Sequence, residues 1–263
     1  MVIKKFILLF SVLIYTSKTF CQFESNLNKV LAGKDFLEFS VYLENLKNTE
    51  RPVNWNWEYL RDITGDYQEG VLFIEKFITD KENQNTGTFY TYKVSIITTN
   101  KKIAFYKLEK ESMLSELNIK ALKYSTIAEL QDEIAFTKFE NAFFEIFHVD
   151  LNEQDLFNTE IVYGEVCGLV GIYPEERIQM EEFVLNKDKK SLLNWLCSAN
   201  TETQIYALDG LNQLKINGVT LTEQELKMIN FVLTKKGTFH VCSGCFYSTP
   251  EINRITKRFN FEL

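Results

Sequence analysis

DKKSLLNWLCSANTETQIYALDGLNQLKINGVTLTEQELKMINFVLTKKG, residues 188–237, decides the fold of the second half of the chain, because stop, start and stripe signals for three consecutive helices stand in it without a gap. Asp188 is placed to cap a first helix carrying Leu192, Leu193, Trp195 and Leu196, with Ser198-Ala199-Asn200 as its exit turn. Thr201-Glu202-Thr203-Gln204 has the form of a capping box for a second helix, whose stripe is Ala207, Leu208, Leu211 and Leu214. Gly218 supplies its left-handed stop. Thr222-Glu223-Gln224-Glu225 is a further capping box. Leu226, Ile229 and Val232 or Leu233 follow as the stripe, Lys235 and Lys236 suit the negative helix end, and Gly237 is the expected stop.

Short helices joined by brief turns resemble the repeat unit of HEAT-type helical solenoids, and Ser191 to Leu214 carries the resemblance. The resemblance implies a helical surface that binds another protein. A helical hairpin packed into a globular core produces the same stripes.

Working outward, the composition shifts towards helix formers near Asp150. The expected organisation is a segment 1–21, an α+β region 22–150 and a mainly helical region 151–263 ending in a cysteine-containing segment. In the first region, Phe23 to Leu46 reads as two helices broken near Gly33, with Leu27, Val30 and Leu31 on one and Phe36, Leu37, Val41 and Leu43 on the other. Pro52 ends that pair. Trp55 and Trp57 have period two, which suits an aromatic pair in the core or a sugar-stacking platform. Val71 to Ile78, Thr88 to Thr98 and Ile103 to Leu108 alternate as strands of an antiparallel meander, with Thr79 to Gly87 as a loop. Ser112 to Leu122 looks helical. Ile127 to Phe147 reads as a buried helix through Ile127, Leu130 and Ile134 and then Phe136, Phe139, Phe143, Phe144 and Phe147, with a strand near Ala142 to His148 as the alternative. Gly164, Gly168 and Gly171 are spaced to give a helix one smooth face around Cys167, and Pro174 opens a new helix. The fold class is therefore α+β, an antiparallel meander with flanking helices followed by a mostly helical half.

At the N-terminus, Lys4 and Lys5 precede the apolar run Phe6 to Tyr15, the pattern of a secretory signal peptide too short to span a bilayer. Thr19 and Cys21 suit the −3 and −1 cleavage positions and leave Gln22 as the mature terminus. Lys18-Thr19-Phe20 is a poor lipidation box before Cys21. The expectation is export to the periplasm or the extracellular space without a membrane span.

With net charge −7 and no long basic run, the chain repels phosphate backbones, which argues against a nucleic-acid partner. An apolar fraction of 45% with 22 Phe and 12 Tyr supplies a core without help from a disulfide framework.

Cys167, Cys197, Cys242 and Cys245 remain after cleavage, an even set that oxidises to two disulfides in an exported protein. Cys242-Ser243-Gly244-Cys245 closing on itself, with Cys167 joined to Cys197, is the favoured pairing. Two long-range bridges from the terminal segment to the helices are the alternative. The CxxC also suits thiol-disulfide exchange. The thioredoxin arrangement, however, needs further elements after the motif, more than Phe246 to Leu263 can build. His240 completes His-x-Cys-x-x-Cys, which with Cys167 or Cys197 has the donor types of a zinc site. An oxidising compartment favours the disulfide, leaving His240 as a surface strand residue. Two histidines, His148 and His240, leave no HExxH and no three-histidine site, and there is no GxSxG, Walker A loop or dinucleotide fingerprint. No metal, cofactor or catalytic residue is assigned. The expected function is a non-catalytic binding or structural module. The alternatives are an envelope enzyme, either redox through Cys242 and Cys245 or a hydrolase, and an acidic protein that neutralises a toxin.

Overall fold

A computed structural model describes residues 22–48, 53–79, 87–113 and 122–261. Residues 1–21, where a signal peptide is expected, Pro52 and most of the Thr79 to Gly87 loop lie outside that set. The chain is α+β. Residues 22–32 form helix α1, and Asp35 caps α2 (Phe36–Leu46) by accepting the Glu38 amide. Five strands follow, β1 (Val53–Thr64), β2 (Tyr67–Thr79), β3 (Gly87–Thr99), β4 (Lys102–Met113) and β5 (Leu122–Gln131), in one antiparallel sheet ordered as in the sequence. Valine, isoleucine, threonine and aromatic residues dominate β2 and β3, the side chains that fit a pleated surface.

The expected three-strand meander is β2 to β4, and two strands were missed. Trp55 and Trp57 lie in β1, packed against α1 and α2 rather than exposed as a platform. Trp55 donates from its indole nitrogen to the Leu43 carbonyl at 2.8 Å. Of the expected helix over Ser112 to Leu122, Ser112 and Met113 belong to β4 and Leu122 to β5, and residues 114–121 lie outside the described residues. Ile127 and Leu130 are strand residues too, and Ile134 is solvent-exposed, so the helical stripe of this region begins only at Phe136.

One sheet face packs on the first two helices through Leu72, Ile74, Tyr92, Val94, Tyr106 and Leu108 against Phe23, Leu27, Leu31, Phe39 and Leu43. Leu37 and Val41, expected among the apolar positions of α2, sit on its outer side. The opposite face receives α3 (Glu133–Phe147), capped by Asp132, which buries Phe136, Phe139, Phe143 and Phe147 and leaves Phe144 half outside. Steps of three and four place those four rings on one side of the helix.

Beyond a turn of 3-10 helix (Glu153–Asp155) come β6 (Tyr163–Cys167), α4 (Glu175–Leu185), α5 (Lys189–Leu196), α6 (Thr201–Ile216), α7 (Glu223–Thr234), β7 (Val241–Gly244), β8 (Phe246–Ser248) and α8 (Ile252–Thr256). Asp188 caps α5 and Thr222 with Glu225 forms a capping box on α7, as expected. The cap of α6 is Asn200 instead, whose side chain accepts the Thr203 amide, so Thr201 to Gln204 are already helical and buried. Gly218 ends α6 at φ +86°, with the Gly218 and Val219 amides donating to Lys215 and Leu214. Ile205, Tyr206, Ala207, Leu208, Leu211 and Leu214 are all fully buried. Helix α6 is thus an axle enclosed on all sides over its first turns, unlike the half-exposed helices of a solenoid.

The Gly164, Gly168 and Gly171 segment is not a helix. Gly164 belongs to β6, while Gly168 and Gly171 take positive φ in a tight turn closed by Cys167 and Ile172 exchanging amide hydrogen bonds at 2.8 and 2.9 Å. Helical glycines would need negative φ. Gly237 does not stop α7, which ends at Thr234. It lies against the backbone of Leu60 and Arg61 on β1.

Candidate functional site

After α7 the chain runs along β1, the outer strand of the five-stranded sheet. The Asp62 amide donates to the Lys236 carbonyl at 2.9 Å and the Lys236 amide to Asp62 Oδ2 at 2.8 Å, while Gly237 bridges to Arg61. This covers strand-edge groups that would otherwise invite pairing with another chain. The segment then delivers His240 and β7 to a second sheet, ordered β6-β7-β8, in which β6 and β7 are parallel.

Beneath this seam lies a buried charge cluster. Arg61 and Glu69 face each other across β1 and β2, with Nε to Oε1 at 2.7 Å. Arg61 Nη1 reaches both oxygens of Glu202 at 2.8 Å, 141 residues away. The guanidinium lies 3.8 Å from the Tyr59 ring centre. Glu202 Oε1 also accepts the His240 amide at 2.8 Å, and Glu69 Oε2 accepts the Phe157 amide at 3.1 Å. Burial by itself would depress the Arg61 pKa, but the two carboxylates outweigh it and hold the guanidinium charged. Lys235, expected as a solvated helix-end charge, is buried and donates to Gln204 Oε1 at 2.8 Å. Burial, aided by the nearby Arg61 charge, pushes its ammonium down to about 7.

His240, expected on the surface, is only 7% exposed. Its Nε2 is 2.8 Å from Glu58 Oε1 and its Nδ1 is 3.6 Å from Glu202 Oε1. Neither ring nitrogen has an in-line hydrogen-bond partner. The His240 contact holds the Glu58 carboxyl below the usual range against a partial desolvation penalty. Glu58 and His240 open into a cleft of about 430 Å³ lined also by Thr159, Val162, Tyr247 and Ser248. A second hollow of about 390 Å³, beside Asn152, Asp155, Trp195 and Ser198, has much of its polarity spent internally: Asp155 accepts from both Asn152 and Ser198.

The cysteines divide differently from the favoured pairing. Cys167 and Cys242 are joined, Cα atoms 5.5 Å apart and 75 residues apart in sequence, across the β6-β7 pair. Cys197 and Cys245 are free thiols, Cys245 exposed and Cys197 half-buried beside the Phe147 carbonyl. Cys242 and Cys245 do not close on each other because β7 and β8 form a hairpin in which Ser243 pairs with Phe246 and places Cys245 in the turn. Gly164 is what admits the bridge. A Cβ there would meet the Cys242 sulfur and stand 2.7 Å from the Cys242 carbonyl oxygen. With both sulfurs committed, the zinc set of His240, Cys242 and Cys245 is not assembled. Among the described residues no group of three or more His, Cys, Asp or Glu is placed to hold a metal ion.

The disulfide ties together two turns. The Gly168 amide donates to the Gly244 carbonyl at 2.7 Å, so the turn after β6 abuts the β7-β8 turn. These turns and their flanks carry Leu169 (92% exposed), Val170, Ile172, Tyr173, Phe246 (81% exposed) and Tyr247, all open to solvent. Tyr247 borders the cleft as well. Arg177 braces β6 from behind, donating to the Gly164 carbonyl at 3.0 Å and to Asp209 at 2.9 Å.

Sequence reasoning singled out the four cysteines and His240 but missed Glu58, Arg61, Glu69 and Glu202. A local cue existed only for Arg61 and Glu69, opposite charges at inward positions of adjacent strands. No family model, curated protein or solved structure matches the chain. Among the described residues, no helix is long and apolar enough to cross a membrane.

Proposed function

We propose that this is an exported, non-catalytic binding module that engages a partner protein through the apolar turns at the disulfide-linked end of the molecule. The observation carrying this reading is the cluster of six large exposed apolar side chains on two turns held by one disulfide and by backbone hydrogen bonds. Large apolar side chains exposed on adjoining turns are the kind of feature that marks an interaction site, and a frame held by a disulfide lowers the entropy lost on docking. Export is supported by the Lys4-Lys5 and Phe6 to Tyr15 pattern together with the disulfide. A protein partner is favoured over an anionic lipid surface because Glu165 and Glu175, both exposed, flank the turns and repel negative headgroups. The same carboxylates select a partner with basic residues around an apolar recess.

The test is a photo-reactive p-benzoylphenylalanine placed at Leu169, Phe246 or, as control, the exposed Leu37 on α2, in cells making the full chain. A common adduct with one other protein from Leu169 and Phe246, absent from Leu37, is the expected result. No adduct from the turns, an equal adduct from Leu37, an adduct of two copies of this chain, or recovery only with lipid contradicts the reading.

A further inference from the structure

We infer that the hollow at the α5-α6 junction, walled also by the end of α3 and the 3-10 turn, is a binding site for an uncharged pyranose, a free sugar or the end residue of a glycan. Its lining shares no residue with the apolar turns, so the inference goes beyond the protein-binding reading and does not depend on it.

The balance of donors and acceptors is the first ground. Asp150 and Asp155 stand among the side-chain amides of Asn152, Asn158, Asn194 and Asn200, and no lysine, arginine or histidine lines the hollow. The two carboxylates disfavour an anion. Donors are open as well: the Trp195 indole N–H, the Asn158 side-chain N–H groups and the exposed Asn194 amide have no acceptor among the described residues. A half-buried indole N–H ordinarily finds a partner. A cation offers these donors nothing, and an apolar molecule would strand carboxylate and amide alike. Hydroxyl groups, which donate and accept at once, satisfy both kinds.

The shape and rigidity of the walls are the second ground. Asp155 Oδ2 accepts from Ser198 at 2.6 Å and Oδ1 from Asn152 at 2.8 Å, while Asn200 accepts from the Thr203 amide and hydroxyl at 2.9 and 3.0 Å. These bonds fix the side chains before a ligand arrives, which lowers the ordering cost, and each Asp155 oxygen keeps a lone pair for a ligand hydroxyl. Val149, Ile161 and the Trp195 indole supply apolar wall for the C–H side of a sugar ring. About 390 Å³ lies at the small end of the roughly 300–1,000 Å³ of small-molecule sites, which suits one ring.

The probes are the methyl glycosides of glucose, galactose, mannose and N-acetylglucosamine, titrated into protein purified from cells making the full chain and followed by its amide and indole N–H resonances. At least one is expected to move the Trp195 indole signal and the amides of Asn158 and Asn194 saturably. Cyclohexanol, cyclohexylammonium and methyl glucuronide are expected to bind at least about tenfold more weakly, since each lacks the hydroxyls or adds a charge. Asn194→Ala, at an exposed position, and Trp195→Phe, which keeps an aromatic ring against Phe183 and Tyr206, should each weaken the glycoside about two- to tenfold, the worth of a neutral hydrogen bond, with amides outside the hollow in place. For the glycoside that binds, clearly tighter binding of its trisaccharide supports the site with a glycan as the source, and no gain supports it with the free sugar. Silence from all four glycosides, equal binding of any control, or unchanged binding by both variants overturns the pyranose site.

Discussion

Arg61 is held between two carboxylates and the face of Tyr59, all fully buried, at the seam where the two halves of the sequence meet. Its removal leaves Glu69 and Glu202 as uncompensated buried charges, a situation that costs about 3–5 kcal/mol. Arg61→Met should therefore lower the stability measured by urea denaturation by about that amount, and a loss below about 1 kcal/mol would show that the cluster is dispensable. Lys235 gives the seam a pH dependence. Its folded pKa, pushed down to about 7, lies below the roughly 10.4 of an unfolded lysine, so between about pH 7 and about pH 10 the unfolded chain binds more protons and this group's contribution to stability rises with pH. Stability of the wild type relative to Lys235→Met should increase when urea midpoints are compared at pH 7 and pH 9.5; a constant difference would contradict the depressed pKa. Beyond the opposite charges of Arg61 and Glu69, none of this could be read from sequence. Glu202 follows a threonine in what resembles a capping box, and its pairing with Arg61 spans 141 residues. Lys235 stands just after an apolar stripe, where a solvated lysine is the ordinary expectation.

Elements with strong periodicity were legible, and those set by tertiary contact were not. The stripe of α6 was correct: Leu208 and Leu211 are fully buried, and Leu208→Ala should cost about 2–5 kcal/mol. Gln213, half-buried and bonded to Asp209 on its own helix, should tolerate alanine with little loss, and equal urea-midpoint shifts for the two variants would misplace the stripe. The start of α6 was read one residue late because Asn200 and Thr201 are both good caps, and only the fold decides which side chain meets the Thr203 amide. Around Gly164 the error was one of kind. Glycines at steps of four and three suit a helix face, but here the first admits a disulfide and the others turn the chain. Two of the five strands were missed, since β1 carries charged and amide residues along an edge and β5 merges in sequence with the aromatic helix after it.

At the scale of the molecule, the five-stranded sheet has α1 and α2 on one face and α3 with the C-terminal helices over part of the other. The last stretch of chain closes the edge of β1 and returns to β6. The α+β class was evident from the change of period between the two halves. The candidate site was legible only in its cysteines and histidine, because the sequence cannot choose among pairings. Cys167 and Cys242 fasten the C-terminal hairpin to β6 and so hold the apolar turns side by side. The direct measurement is peptide mapping by mass spectrometry of the oxidised protein, digested without reduction after alkylation of its free thiols. A Cys167–Cys242 linked peptide with Cys197 and Cys245 alkylated is expected; a Cys242–Cys245 or Cys167–Cys197 linkage would contradict this arrangement.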